Sequence, residues 1–226
     1  MSPSLWSAYL HWPWCRTRCA YCAFNVTTAA PQEAAWLDGI RTGWARSRPH
    51  FGGAAQALYF GGGTPSLCSP DTIAGAIALF PLRSDAEVTL EANPGTIGRG
   101  GIEALVDAGV NRLSIGVQTF QQHHARRLSR GHTVEAARQL LRQLPDVGLR
   151  SWSADLIFSL PDQSIGDLKS DLDTLLAYDP PHVSIYGLSY EPGTPLTKAR
   201  DAGKVRPIDD DAWAEHSEEL VPASRE

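Results

Sequence analysis

No apolar run in this chain approaches the roughly 20 residues that a membrane-spanning helix needs, so no membrane span is expected. A basic segment leading into a hydrophobic stretch is also missing near the N-terminus, which argues against a secretory leader and sets the expectation of a soluble, cytoplasmic protein. Long clusters of positive charge are absent. With a net charge of −5 and a pI near 5.8, nucleic acid is not an expected partner. The densest basic stretch, Arg126-Arg127-Leu-Ser-Arg130, reads mostly as a solvated helix face. Cysteine is scarce, and three of the four cysteines crowd into a single run.

That run is His11-Trp-Pro-Trp-Cys15-Arg-Thr-Arg-Cys19-Ala-Tyr-Cys22-Ala-Phe24. Iron–sulfur clusters normally take four cysteines. Three thiolates on one loop hold three irons of a four-iron cluster and leave the last iron open to an outside ligand. A disulfide would pair two of the three and strand the third, and a reducing compartment disfavours it. Zinc is the stronger alternative, because three cysteines and the nearby His11 close a tetrahedron. Zinc loops usually repeat a C-x2-C pair, however, and no second pair follows here. Cys68, the remaining cysteine, reads as a buried inert thiol.

At 226 residues and 42% hydrophobic, the chain can bury the core of one α/β domain. Short apolar strands alternate with helical patterns, the mark of βα units on a parallel sheet. Strands are expected near Ser7–His11, Ala57–Phe60, Glu87–Glu91, Arg112–Val117, Trp152–Phe158 and His182–Leu188. Between them, Pro31 opens a helix striped by Leu37, Ile40 and Trp44. Ser69-Pro70 reads as an N-cap plus N1 proline, and Ile102, Leu105 and Val106 lead to a stop at Gly109. Val134, Ala137, Leu141 and Leu144 stripe another helix. Ser164 and Asp167 start the next in capping-box fashion, ahead of Leu168, Leu172, Leu175 and Leu176. Asp209–Leu220 fits a last helix.

Six such units make three-quarters of an eight-fold barrel, a fold whose sites lie at the C-terminal strand ends. Polar or glycine-rich residues follow every expected strand on that side: the cysteine loop, Gly61-Gly62-Gly63-Thr64-Pro65, Glu91-Ala-Asn93-Pro94-Gly95, Gln118-Thr119, Asp155 within the fifth strand, and Ser189-Tyr190-Glu191-Pro192-Gly193.

These motifs resemble the radical S-adenosylmethionine (SAM) superfamily, in its branch of oxygen-independent coproporphyrinogen III oxidases and HemW-type heme chaperones. The runs that carry the resemblance are Tyr9-Leu-His-Trp-Pro-Trp-Cys15, Gly61-Gly-Gly-Thr-Pro-Ser66, Glu91-Ala-Asn-Pro94, Ser114-Ile-Gly-Val-Gln-Thr-Phe120, Asp155-Leu-Ile-Phe-Ser-Leu-Pro161 and Tyr186-Gly-Leu-Ser-Tyr-Glu-Pro-Gly-Thr-Pro195. The resemblance implies an α/β fold, a partial (β/α)6 TIM-like barrel, with Cys15, Cys19 and Cys22 on a [4Fe-4S] cluster. SAM would chelate the open iron, and its reductive cleavage would yield methionine and a 5′-deoxyadenosyl radical. Heme or coproporphyrinogen III is implied as a further small molecule, with a recipient hemoprotein and an electron donor as partners.

Carried over by position, the resemblance puts Tyr9 beside the cluster and Tyr21 near the adenine, where a plain packed aromatic is an equal reading. Gly62, Gly63 and Thr64 would let backbone approach the methionine part of SAM, while a tight turn alone also explains the glycines. Glu91 would accept from a ribose or amine, and Gln118 would donate and accept. Arg130 would pair a carboxylate in a fork, with a surface ion pair as its rival reading. Asp155, in an apolar strand, would meet ligand hydroxyls. Ser189 would be a backbone neighbour of the ligand. His11 reads as orienting the cluster loop, and His123, His124 and His132 are given no role.

Two departures bear on function. The oxidase-type loop carries a further cysteine two positions after the third cluster cysteine, where this chain has Phe24; the oxidase type also has a long arm before its first strand, whereas eight residues precede Tyr9. Both favour the heme chaperone. Family members continue past the barrel into a C-terminal domain bearing a His-Asn…Tyr-Trp heme-associated motif. The expected organisation here is a core barrel over 1–220, a frayed end over 221–226, and no such domain.

Overall fold

The computed structural model describes residues 5–223. Six strands alternate with helices: β1 Ser7–Trp12, α1 Glu33–Ser47, β2 Ala55–Gly62, α2 Pro70–Ile77, β3 Leu82–Ala92, α3 Arg99–Asp107, β4 Arg112–Gln118, α4 Gln122–Arg127, α5 Val134–Gln143, β5 Ser151–Phe158, α6 Ile165–Leu176, β6 His182–Gly187, α7 Pro195–Asp201 and α8 Asp210–Ala223. All five strand pairings are parallel, and the strands lie in sequence order. β1 and β6 form the two edges of the sheet, so the fold is a partial (β/α)6 barrel. α8 is traced to Ala223; of the stretch expected as a frayed end, residues 224–226 lie outside the described residues.

Period-two alternation divides each strand between two environments. Leu58 and Phe60 of β2, Val88 and Leu90 of β3, Leu113 and Ile115 of β4, and Ala154 and Leu156 of β5 share one buried core with Ile73, Ile102, Leu105, Leu141, Leu168 and Leu172 from the covering helices. Each such side chain contributes about 1.5–3 kcal/mol by leaving water. The alternate residues, among them Glu91, Ser114, Gly116, Asp155 and Tyr186, face the concave side and line a cavity.

Local signals set the helix starts. Ser69 caps α2, its Oγ accepting from the Thr72 N–H ahead of Pro70. Ser164 and Asp167 form a reciprocal capping box on α6. Gly109 takes φ +106° just past α3, the left-handed stop that glycine permits. Five strands extend beyond their expected ends, most of all β3, which begins at Leu82, while β6 stops at Gly187, one residue short of the expected Leu188.

Candidate functional site

The cysteine loop leaves β1 and is held from three directions. Cys15 N–H donates to the Thr27 carbonyl at 2.9 Å, closing the loop on itself. Ala20 N–H donates to Leu128 O at 2.9 Å, just past α4, and the Ala20 carbonyl accepts from Leu196 N–H of α7 at 2.9 Å. The turn after β2 supplies the third anchor: Gly63 N–H donates to Trp12 O at 2.7 Å and Thr64 N–H to Trp14 O at 2.8 Å. A Cβ on Gly63 would sit 2.6 Å from the Trp14 carbonyl oxygen, and one on Gly62, at φ +112°, would sit 2.5 Å from the His11 ring. Close packing against the cysteine loop therefore demands these glycines, whatever else approaches them.

The three thiols are free and half-buried. They line one side of a cavity of about 570 Å3, together with Gly62, Gly63, Thr64, Glu91, Gln118, Arg130, Asp155, Tyr21 and Ser189. The structure thus brings together every site residue expected from the sequence except Tyr9. Tyr9 is 57% exposed, stacks on Tyr59 at 6.0 Å between ring centroids, and meets His11 Nδ1 through its hydroxyl at 3.1 Å. The other ring nitrogen of His11, Nε2, lies 2.9 Å from the Asn25 carbonyl in the cysteine loop.

The donor set discriminates between a mononuclear metal and a cluster. Ligand sulfurs on one tetrahedral zinc stand roughly 3.8 Å apart, given Zn–S bonds near 2.3 Å. Among the described residues, the one set of three or more metal-ligating side chains whose ligand atoms all lie within 4.8 Å of one another is elsewhere, and the three thiols are spread wider than that. Both nitrogens of His11 are already engaged. The arrangement fits a polynuclear cluster better than a shared zinc ion. Burial pushes the Cys15 and Cys22 thiols up; Thr64 opposes this at Cys15 and the Phe24 backbone at Cys22, while the neighbouring thiols add to it.

Arg130 organises the floor of the cavity. Its Nη1 donates to Cys19 Sγ at 3.2 Å and to the Tyr21 hydroxyl at 3.1 Å. Its Nη2 donates to Asn93 Oδ1 at 2.5 Å and to the Gly116 carbonyl at 2.6 Å. Its Nε has no partner, so a forked pairing with a carboxylate through Nε and one Nη requires release of a single bond. Asn93 in turn donates from Nδ2 to Thr64 Oγ1 at 3.0 Å. A Cβ on Gly116 would lie 2.8 Å from Asn93 Oδ1, so this glycine makes room for the web. Asn93 and Gly116 line the cavity, and the sequence reading gave neither a role. The available signal was their spacing: Asn93 follows Glu91 by two, and Gly116 precedes Gln118 by two, which favours a shared strand face.

The carboxylates of Glu91 and Asp155 also line the cavity. Glu91 accepts from the Tyr59 hydroxyl at 2.9 Å and from Gly62 N–H at 3.0 Å. Burial nevertheless leaves its carboxyl above the ordinary carboxylate range. Burial pushes Asp155 up to about 6; Glu91 adds to this, and hydrogen bonds from Ser184 and Ser114 oppose it. Gln118 is buried at the end of β4 with φ +74°, beside a register shift between Gly116 and Gln118. A non-glycine residue held there stores about 1–3 kcal/mol of strain. Its Oε1 is buried with no partner, an orphaned polar atom in a residue that lines the cavity. Ser189 is exposed at the rim and donates to Glu191 Oε1 at 2.6 Å. Phe24 stands at the mouth, 63% exposed.

Comparison with known proteins converges on one group. A family model described as the Radical SAM superfamily matches residues 9–175. The chain is 38% identical over 220 residues to the heme chaperone HemW of Escherichia coli strain K12, covering 92% of this chain and 56% of that one. It is 32% identical over 199 residues to the oxygen-independent coproporphyrinogen III oxidase of Paracoccus denitrificans, covering 82% of this chain and 43% of that one. Among solved structures, coproporphyrinogen III oxidase (HemN) from Escherichia coli superposes with a TM-score of 0.85 at 26% identity, over 97% of this chain and 52% of the other. The chain spans about half the length of the curated relatives it matches.

Proposed function

Because the chain belongs to the radical SAM superfamily, we propose that it acts as a HemW-like heme chaperone. Residues 1–220 form its core barrel, Cys15, Cys19 and Cys22 hold a [4Fe-4S] cluster, the adjoining cavity takes SAM, and heme is carried for insertion into a recipient hemoprotein. The observation that carries this reading is the cavity itself. It gathers three half-buried thiols together with Glu91, Gln118 and Asp155 in one lining. When bound, the reduced cluster supplies the electron that splits SAM into methionine and a 5′-deoxyadenosyl radical.

The chain's own residues supply position and charge. Arg130 holds the cysteine loop against β4 and places a cation beside Cys19. Glu91 offers carboxylate lone pairs to the SAM ammonium, with its orientation fixed by Tyr59 and Gly62. Asp155 faces the ribose hydroxyls, and Gln118, which lines the same cavity, bonds the same ligand through its amide. Phe24 gives the mouth an apolar face where the oxidase type carries a thiol.

The alternative is an oxygen-independent coproporphyrinogen III oxidase, favoured by the likeness to the HemN structure. Anaerobic turnover of coproporphyrinogen III by cluster-reconstituted protein, with SAM and reductant, separates the two. The chaperone reading expects no protoporphyrinogen and a saturable heme spectrum. Protoporphyrinogen formed in proportion to cluster content overturns it in favour of the oxidase.

A further inference from the structure

On the outer side of the barrel, α4 and the start of α6 bring together His123, His124 and Asp167. The ligand atoms of these three side chains all lie within 4.8 Å of one another. The His123 and His124 rings stand 3.9 Å apart between centroids, and His124 Nε2 is 3.7 Å from Asp167 Oδ2, too long for a hydrogen bond. His124 is only 1% exposed, yet neither of its ring nitrogens has a partner. A buried imidazole with both nitrogens unsatisfied is costly in a folded protein and calls for an explanation. Nothing in the cavity chemistry uses these residues.

We propose that His123, His124 and Asp167 form a divalent transition-metal site, with zinc as the best-suited ion. Imidazole and carboxylate are ordinary zinc ligands, and two histidines with one carboxylate leave the fourth position to water. Ligand atoms on one tetrahedral zinc stand roughly 3.3 Å apart, given bonds near 2.0 Å, so sub-ångström side-chain shifts close the present spacing. Asp167 keeps its capping role, its Oδ2 accepting from Ser164 N–H at 3.0 Å. Arg127, the nearest cation on α4, is itself paired to Asp162 Oδ2 at 2.5 Å and to the Pro161 carbonyl at 3.0 Å. An ion here would tie α4 to α6. Leu128, whose carbonyl anchors the cysteine loop through Ala20 N–H, directly follows α4.

The test is anaerobic calorimetric titration of the cluster-reconstituted chain with Zn2+ alone, with the cluster absorbance followed in parallel. One saturable Zn2+ per chain is expected, with the cluster absorbance unchanged. His123 is exposed, so His123→Ala is expected to fold normally. It should weaken Zn2+ at least as much as the roughly 10–100-fold loss typical of outer-sphere changes. His124→Leu places an apolar side chain in the buried position, offers no ligand atom and should abolish binding. Absence of saturable binding, binding unchanged in both variants, or binding that bleaches the cluster would each overturn the proposal.

Discussion

Two strands feed the same cavity and differ in almost everything else. β4 is buried from Leu113 to Gln118, whereas β6 is nowhere fully buried. β4 is flanked by strands on both sides, and its Leu113, Ile115 and Val117 all belong to the core. β6 is an edge, and Tyr186 on its concave face is 56% exposed. The strained and precisely packed features sit with β4 and the cysteine loop: Gln118 in the left-handed region, Gly116 making room for Arg130, and the Arg130 web itself. The β6 side contributes rim residues, such as Ser189, that bond only to their neighbours. The protein thus fixes one wall of its site by burial and leaves the other adaptable.

Core truncation breaks this contrast most directly. Ile115→Ala, at a position with no exposure, should cost about 2–5 kcal/mol, while Ile185→Ala on half-buried β6 should cost only about 1–2 kcal/mol. Urea unfolding of both variants measures this, and equal losses would dissolve the distinction. Glycines repeat the comparison on a smaller scale. Gly62→Ala meets both the His11 ring and a φ of +112°, for about 3 kcal/mol and a loss of cluster after reconstitution. Gly193→Ala, past β6 at φ +82° with nothing within 4 Å, should cost about 1 kcal/mol and leave cluster content intact. Arg130→Met should cost about 2–3 kcal/mol by stranding Asn93 Oδ1 and the Gly116 carbonyl. It should also loosen the cysteine loop, read as faster cluster loss to a chelator.

The contrast also marks what could be read from the chain. All six strands, their parallel order and the caps at Ser69 and Ser164 follow from local patterns, and the structure carries them. The α/β partial barrel was therefore legible, as was the gathering of polar residues at the C-terminal strand ends. What escaped was non-local. The Arg130–Cys19 contact joins residues 111 positions apart, and no spacing rule brings them together. Asp171 lies in a leucine stripe, yet it is buried and accepts from Thr119 Oγ1 at 2.7 Å and Phe120 N–H at 2.8 Å, bracing the turn after β4. Short α4 and α7 have too few turns to show a period. Tyr9 was placed at the site by resemblance; its ring stacks on Tyr59 beside Glu91, next to the residues that line the cavity.

The one stabilising effect falls where the two walls meet. Asp155 on β5 lies opposite Gly116 of β4 on one side and Ser184 of β6 on the other. Burial raises its carboxyl to about 6, against an ordinary value of 3.8. A group with a raised folded value contributes stability that is fully present below its unfolded value and is lost as pH rises through the folded one. Asp155 therefore favours the fold below about pH 4, and that contribution disappears as pH climbs through 6. The gap of about 2 units corresponds to roughly 3 kcal/mol at 1.36 kcal/mol per unit. About 1 kcal/mol is returned when the hydrogen bonds to Ser184 and Ser114 are weakened. Asp155→Asn should thus stabilise the chain by about 2 kcal/mol at pH 7–8, and the gain should vanish below pH 4. Paired urea titrations at pH 4 and pH 7.5, without SAM, read this directly. SAM affinity should move the other way, because the amide no longer accepts from two ribose hydroxyls as a carboxylate does. A variant that gains no stability at pH 7.5 would mean that the β6 wall leaves Asp155 well solvated. The adaptable side of the cavity would then reach as far as β5.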